Sequence, residues 1–169
     1  MPTHTTPRRR RPPHLRKAGA TYLVSWDLHP SQPPLTDAER TMMLENLRHF
    51  DGVHFDLLAS LVLDEKVYVL VTPYPDRPLE RTVGGWKRWA SGQFGIDGRA
   101  APFWRSGYLD RIIRSPEELQ KRIGQLAESP QRRWPEIGEY PWFWVRGEKA
   151  EAAGLRSPSN PLEGQQAEE

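Results

Sequence analysis

Residues 55–72 decide the fold, because they form two apolar segments around a short polar turn, FDLLASLVLDEKVYVLVT. The first segment predicts a strand over Phe55–Leu63, with one face made of Phe55, Leu57, Ala59, Leu61 and Leu63. The second predicts a strand over Lys66–Thr72, with Val67, Val69 and Val71 on one face. Only Asp64 and Glu65 separate the two strands, so they should pair as an antiparallel hairpin.

On the N-terminal side of the hairpin lie a predicted strand and a predicted helix. Ala20–Leu28 is rich in β-branched and aromatic residues, which favour a strand. Thr36 and Glu39 have the spacing of a capping box, in which each side chain accepts the backbone N–H of the other residue. A helix should therefore begin there, and it should end near Asp51–Gly52.

On the C-terminal side the pattern predicts a helix, a strand and a second helix. Apolar residues at helical spacing predict a helix over residues 78–94. A fourth strand lies within Trp104–Arg114. Ser115 and Pro116 then open another helix, which Pro130 should stop. The Trp- and Pro-rich segment Trp134–Trp144 is predicted to be a packing lid.

The element order is therefore β-α-β-β-α-β-α. It predicts an α+β fold of the ferredoxin-like type: an antiparallel sheet with two helices on one face, plus a further C-terminal helix. The globular domain should span residues 18–147. Residues 1–17, which are basic, and residues 148–169, which are acidic, contain little to bury and are predicted to be disordered.

The composition excludes several classes of protein. The chain has 169 residues, of which 37% are apolar and 27% charged, and this fits one soluble domain. It contains no cysteine, so disulfides, thiol catalysis and thiolate zinc sites are excluded. It has neither an apolar run long enough for a bilayer nor a secretory signal pattern, so a cytoplasmic protein without membrane contact is expected.

The net charge of +2 conceals a strong asymmetry along the chain. Residues 1–17 carry six basic residues and no acidic one. Residues 18–76 carry three basic and nine acidic residues, whereas residues 77–133 carry twelve basic and six acidic residues. A basic arm and a basic second half suggest a polyanionic partner such as nucleic acid.

None of the common catalytic motifs is present. The body has three histidines, His29, His49 and His54, and they form no metal-binding pattern. The paired glycines Gly84 and Gly85 lack the spacing and the preceding strand of a phosphate-binding loop. No nucleophile elbow around a serine occurs.

Several segments, taken in order, carry a family resemblance. They are PHL at 13–15, GATYLV at 19–24, WKRW at 86–89, and PFWRSGYLDRIIR at 102–114, which runs into Glu117-Glu118-Leu119. Over about Pro7–Trp144 the chain resembles the REP-associated tyrosine transposases, a branch of the single-strand transposases. That family has a His-hydrophobic-His motif, which binds a metal ion, and one catalytic tyrosine.

The resemblance implies that the catalytic positions are substituted. The two family histidines precede an apolar run that is present here as residues 70–73, and they match Lys66 and Tyr68. The family tyrosine on the last helix matches Gln125, and a further ligand, an asparagine, matches Ser129. Protonated lysine and a neutral phenol are poor ligands for Mg²⁺ or Mn²⁺. An amide cannot replace the attacking tyrosine oxygen. No metal site, cofactor or intact catalytic residue is therefore expected.

The leading interpretation is a transposase-like DNA-binding protein that binds single-stranded or hairpin DNA without cleaving it. Lys66 either places a cation where the metal would lie or only extends to solvent. Whether the chain forms a homodimer stays open. Cations predicted to contact phosphates are Arg8, Arg9, Arg10, Arg11, Arg81, Lys87, Arg88, Arg99, Arg105, Arg111, Arg114, Lys121, Arg122, Arg132 and Arg133.

Two alternatives remain. In the first, the chain is an active transposase or nuclease whose rebuilt Mg²⁺ or Mn²⁺ site uses Asp64 and Glu65, with Tyr68 or Tyr108 as nucleophile. In the second, it is an RNA-binding or protein-interaction module, although KVYVLVT lacks the aromatic signature of an RNA recognition motif.

The helix over residues 78–94 carries two tryptophans whose burial is predicted separately. Trp86 falls on the apolar stripe and should be in the core. Trp89 is also predicted to lie in the core, with a base-stacking platform as the alternative.

Overall fold

The computed structural model describes residues 19–147, which form one five-stranded antiparallel sheet and three helices. In chain order the elements are β1 Thr21–Asp27, α1 Asp37–Arg48, β2 Phe55–Val62, β3 Lys66–Pro73, α2 Leu79–Ile96, β4 Leu109–Ile113, α3 Pro116–Arg133 and β5 Phe143–Val145. The strand order is β4-β1-β3-β2-β5. The predicted α+β fold and element order are confirmed, with one additional strand. The predicted disordered segments 1–17 and 148–169 lie outside the described residues, as does residue 18.

Helices α1 and α2 cover one face of the sheet. The capping box predicted at Thr36 and Glu39 begins α1, and both of its hydrogen bonds are present. Met43 of α1 and Trp86 of α2 are buried against β1 and β3. Trp86 stacks on Trp26, with ring centroids 6.0 Å apart. The expectation that Trp86 belongs to the core is therefore confirmed.

Helix α3 covers the opposite face. Ile123 and Leu126 pack with Leu70 of β3 and Leu61 of β2 in a second apolar cluster. Ser115 caps the helix by accepting the N–H of Glu118, as its sequence position predicts. The prediction that Pro130 stops α3 is wrong, because the helix continues to Arg133. A proline removes one N–H donor and crowds the carbonyl four residues earlier, but Pro130 lies in the last turn of the helix and its ring is buried, so packing offsets that cost.

The predicted single face of β2 is also wrong. Between Leu57 and Ala59 the strand gains one residue relative to β3, which is a β-bulge. Phe55 and Leu57 therefore face α1 and α2, whereas Ala59 and Leu61 face α3. Residues 57–63 are apolar at nearly every position, so their pattern fits either face. Both faces of the sheet are covered, and both need apolar residues.

The segment Trp134–Trp144, predicted to be a lid, contributes a strand instead. Phe143–Val145 pairs antiparallel with β2 and forms the edge of the sheet. Trp144 is 1% exposed and lies in the cluster under α1 and α2. None of the helices within residues 19–147 is long and apolar enough to cross a membrane.

Candidate nucleic-acid interface

The two strand positions that match the family histidines lie on the α3 face of β3. In the register of the sheet Lys66 is opposite Asp27, and its Nζ lies 3.5 Å from the Asp27 carboxylate. The same Nζ is 5.2 Å from the centroid of the Tyr68 ring. Tyr68 packs against the apolar cluster that α3 completes. Lys66 is therefore held by an ion pair and an aromatic ring, and its ammonium has no lone pair to offer a metal.

The two helix positions, Gln125 and Ser129, are half-buried on α3. Arg122 Nη1 donates to Gln125 Oε1 at 3.0 Å, one turn earlier on the helix. Among residues 19–147, no hydrogen bond or ion pair joins these two positions to Lys66 or Tyr68. Helix α3 thus covers the sheet face that carries Lys66 and Tyr68. Within the described residues, however, no polar contact joins the two strand positions to the two helix positions.

The carboxylates of the β2–β3 turn are bound by an arginine from the end of α3. Arg133 Nε lies 2.7 Å from Asp64 Oδ1, and Arg133 Nη2 donates to Asp64 Oδ2 at 2.7 Å. Glu65 lies 3.6 Å from the same guanidinium. The hydrogen bond to Asp64 raises the pKa of Arg133 above its usual value. These contacts give the turn carboxylates a structural partner.

The three histidines of the body also lie apart from any metal-binding arrangement. No group of three or more His, Asp or Glu side chains within residues 19–147 is placed to hold a metal ion. His49 and His54 both pack against Phe50, with ring centroids 4.6 Å and 4.5 Å from it. His29 contacts Ser31.

A cationic cleft lies between β4 and α3. Its volume is about 590 Å³. Arg111, Arg114, Lys121 and Arg122 line it, together with Ile112, Glu117 and Glu118. Glu118 contacts three of the cationic residues of the cleft. Its carboxylate lies 3.8 Å from Arg111 and 3.9 Å from Arg122, and it accepts the Arg114 backbone N–H. Four cations against two carboxylates leave a net positive charge, and Arg111, Arg114 and Lys121 are exposed.

The other cations predicted to contact phosphates differ in their surroundings. Arg81, Arg88 and Arg105 are exposed, whereas Lys87 donates to the carbonyls of Arg105 and Gly107. Arg132 donates to the Gln125 carbonyl. Arg8, Arg9, Arg10 and Arg11 lie outside the described residues.

Arg99 is the clearest departure from that prediction. Its side chain is 10% exposed and pairs with Glu39 at 2.5 Å. It also donates to the backbone carbonyls of Pro33 and Pro34. Its donors are therefore directed into the protein rather than towards a phosphate.

Trp89 is not in the core, so the favoured prediction for it is wrong. It is 46% exposed and lines a groove of about 560 Å³ between α1 and α2. Sequence reasoning missed three other residues of this groove, Phe50, His54 and Arg77. One signal was available: the apolar stripe of α2 steps from Trp86 to Ala90, so Trp89 falls beside it.

Comparison with known proteins shows which solved structures have a similar fold. No protein-family model and no curated protein matches the chain. A solved REP-associated tyrosine transposase bound to a REP hairpin is similar in structure, with a TM-score of 0.68 over 88% of each chain and 14% sequence identity. A protein from Deinococcus radiodurans R1 with a provisional transposase assignment has a TM-score of 0.43, covers 72% of this chain and 97% of its own, and is 17% identical. The chain therefore has the fold of a REP-associated tyrosine transposase, as the sequence resemblance predicted.

Proposed function

We propose that this chain is a cytoplasmic, transposase-like protein that binds single-stranded or hairpin DNA and does not cleave it. The observation that carries the proposal is the cationic cleft between β4 and α3, on a fold whose relative was solved with a REP hairpin. Phosphate contacts by arginine and lysine dominate the affinity of such proteins.

The cleft suits a phosphodiester backbone more than a small anion. Its exposed cations come from two elements, Arg111 and Arg114 from the β4 side and Lys121 from α3. Successive phosphates can therefore meet successive side chains. Glu118 lies 3.8 Å from Arg111 and 3.9 Å from Arg122, which is beyond hydrogen-bond distance, so the Arg111 guanidinium can donate to phosphate.

The absence of cleavage rests on the residues at the four family positions. Lys66 is paired with Asp27, and Gln125 accepts from Arg122. Protonated Lys66 has no lone pair to offer a metal, and the amide of Gln125 cannot act as a phosphoryl-accepting nucleophile. The carboxylates that a rebuilt site would use are bound by Arg133, which supports binding over cleavage.

The test removes two exposed cations of the cleft together. Arg111→Ala with Lys121→Ala should weaken binding to a labelled DNA hairpin by about a hundredfold or more, because each charged hydrogen bond to phosphate contributes about 1.5–3 kcal/mol and two are lost. The slope of log K against log salt should become shallower by about 1.4, as expected for two lost contacts on single strands. Fluorescence anisotropy at several salt concentrations measures both quantities.

A charge-matched control separates the cleft from the net charge. Lys149→Ala with Arg156→Ala removes the same two charges from residues 148–169. It should change hairpin affinity much less than the cleft variant. Equal effects of the two double variants would mean that only the overall charge matters, and an unaffected cleft variant would refute the proposed site.

A further inference from the structure

The groove between α1 and α2 is built from aromatic rings on the face of the sheet opposite the cationic cleft. Its volume of about 560 Å³ lies within the range that small-molecule sites occupy, about 300–1,000 Å³. Trp89 and Phe50 line it and are 46% and 42% exposed. Large aromatic side chains left open to solvent in one concave surface indicate a binding site rather than packing.

The aromatic wall is supported by its neighbours. The Phe50 ring contacts the rings of both His49 and His54, with centroids 4.6 Å and 4.5 Å away. Asn46, which also lines the groove, donates to the Trp86 carbonyl at 3.0 Å and ties α1 to α2. At Gly85, a Cβ would meet no atom within 4 Å, so the absence of a side chain keeps this part of the groove open.

The charges around the groove favour an anion attached to a flat apolar group. Arg77 and Arg88 are among its lining residues, against a single carboxylate, Glu45. Arg88 is exposed and lies directly before Trp89 in the chain. Aromatic rings beside arginines suit a nucleotide, since the base can stack while the phosphate meets a guanidinium.

We propose that this groove binds one unpaired nucleotide of single-stranded DNA. The base stacks against Trp89 beside Phe50, and the adjoining phosphate contacts Arg88 or Arg77. This inference rests on the proposed function and extends it, because it assigns a base-contacting site separate from the phosphate-binding cleft. The groove contacts the base by stacking, so it tolerates different bases.

The experiment compares two single-stranded probes of equal length, oligothymidine and the same backbone with abasic residues. The full-length chain should bind oligothymidine more tightly. Trp89→Ala should reduce this preference by between about fivefold and a hundredfold, the range measured for one base–aromatic stack. Ile96→Ala, which removes another exposed apolar side chain of α2, should leave it unchanged.

A second pair of variants tests the groove without removing an aromatic ring. Gly85→Gln should fill the groove and weaken oligothymidine binding. Gly84→Gln is the matched control. Gly84 precedes Gly85 on α2, a Cβ there would also meet no atom within 4 Å, and Gly84 does not line the groove. Both substitutions raise helix propensity, so a loss of binding in Gly85→Gln alone reports on the groove.

The outcomes distinguish this inference from the proposed function. Trp89→Ala removes no charge, so the slope of log K against log salt for hairpin binding should equal that of the unmodified chain. Equal affinity for the two probes, or a preference that Trp89→Ala keeps, would overturn the groove assignment while hairpin binding stands. Self-association that Trp89→Ala abolishes would identify a second copy as the occupant. Failure of the unmodified chain to bind any probe would remove the proposed function as well.

Discussion

The guanidinium of Arg99 is enclosed by the loop between β1 and α1. It pairs with Glu39, the same residue that closes the capping box of α1, and it binds two loop carbonyls. One buried contact thus fixes the start of α1 and the chain just after α2. The charge pattern alone assigns Arg99 to a polyanion, because a sequence does not reveal which arginines have an internal carboxylate.

Removing this arginine should destabilise the fold. Arg99→Met leaves the Glu39 carboxylate buried without its partner, which costs about 3 kcal/mol or more of unfolding free energy. Urea denaturation of the full-length chain measures the loss. Arg105→Met, which removes an exposed arginine, is the control and should change stability by less than about 0.5 kcal/mol. Similar losses in the two variants would contradict the structural role of Arg99.

The Glu39 contact also predicts a pH dependence of stability. Burial alone would raise the pKa of Glu39, but the hydrogen bonds and charge of Arg99, with the Thr36 amide, lower it below the usual 4.5. The pKa of Glu39 is therefore lower in the folded than in the unfolded chain. The contribution of Glu39 to the free energy of unfolding is complete above the pKa of the unfolded state, and it is lost as the pH falls through the pKa of the folded state. Stability should therefore fall below about pH 4.5. Glu39→Gln should show a smaller fall over that range in urea titrations, and an identical pH profile would contradict this assignment.

At the scale of elements, β5 is the part of the fold that sequence pattern could not supply. A three-residue strand is too short for alternation to be recognised, and its partner β2 lies far away in the chain. The β2 bulge and the continuation of α3 through Pro130 have a similar cause, because each depends on what packs against the segment. The longer elements were predictable, since their caps and apolar periods are local.

The strand assignment of β5 makes a quantitative prediction. Trp144→Ala should cost about 3–5 kcal/mol of unfolding free energy, because the ring is 1% exposed within the core. Trp89→Ala, at an exposed tryptophan, should cost much less. A segment that did not pair with β2 or enter the core would give a small loss for Trp144 as well, so comparable unfolding midpoints for the two variants would contradict the strand's role.

Strand β3 and helix α3 together make a prediction about catalysis. The full-length chain, incubated with labelled hairpin DNA and Mg²⁺ or Mn²⁺, should give no cleavage and no denaturation-resistant adduct. Lys66 stands where a metal-binding histidine would be and has no lone pair, and Gln125 stands where the tyrosine would be and has no attacking oxygen. Denaturing gel electrophoresis checks both products. An adduct mapping to Tyr68 or Tyr108 would establish the rebuilt-site alternative instead.

For the whole molecule, the sequence predicts the fold better than the site. The order of elements and the family resemblance were sufficient to predict the fold. The site was harder to predict, because the twelve basic residues between 77 and 133 look alike in sequence. In the structure, Arg99 and Arg133 pair with carboxylates of the protein. Arg111, Arg114 and Lys121 remain exposed in one cleft. The groove at Trp89 depends on two helices and a loop meeting, which no local pattern contains.

The salt dependence of hairpin binding by the full-length chain shows whether the cationic cleft binds DNA. If the three exposed cations of the cleft each neutralise a phosphate, log K should fall linearly with log salt with a slope of about −2 or steeper. Fluorescence anisotropy with a labelled hairpin, from low to moderate salt, gives that slope. A slope near zero, or no binding at low salt, would mean that this chain does not bind DNA through its cationic cleft.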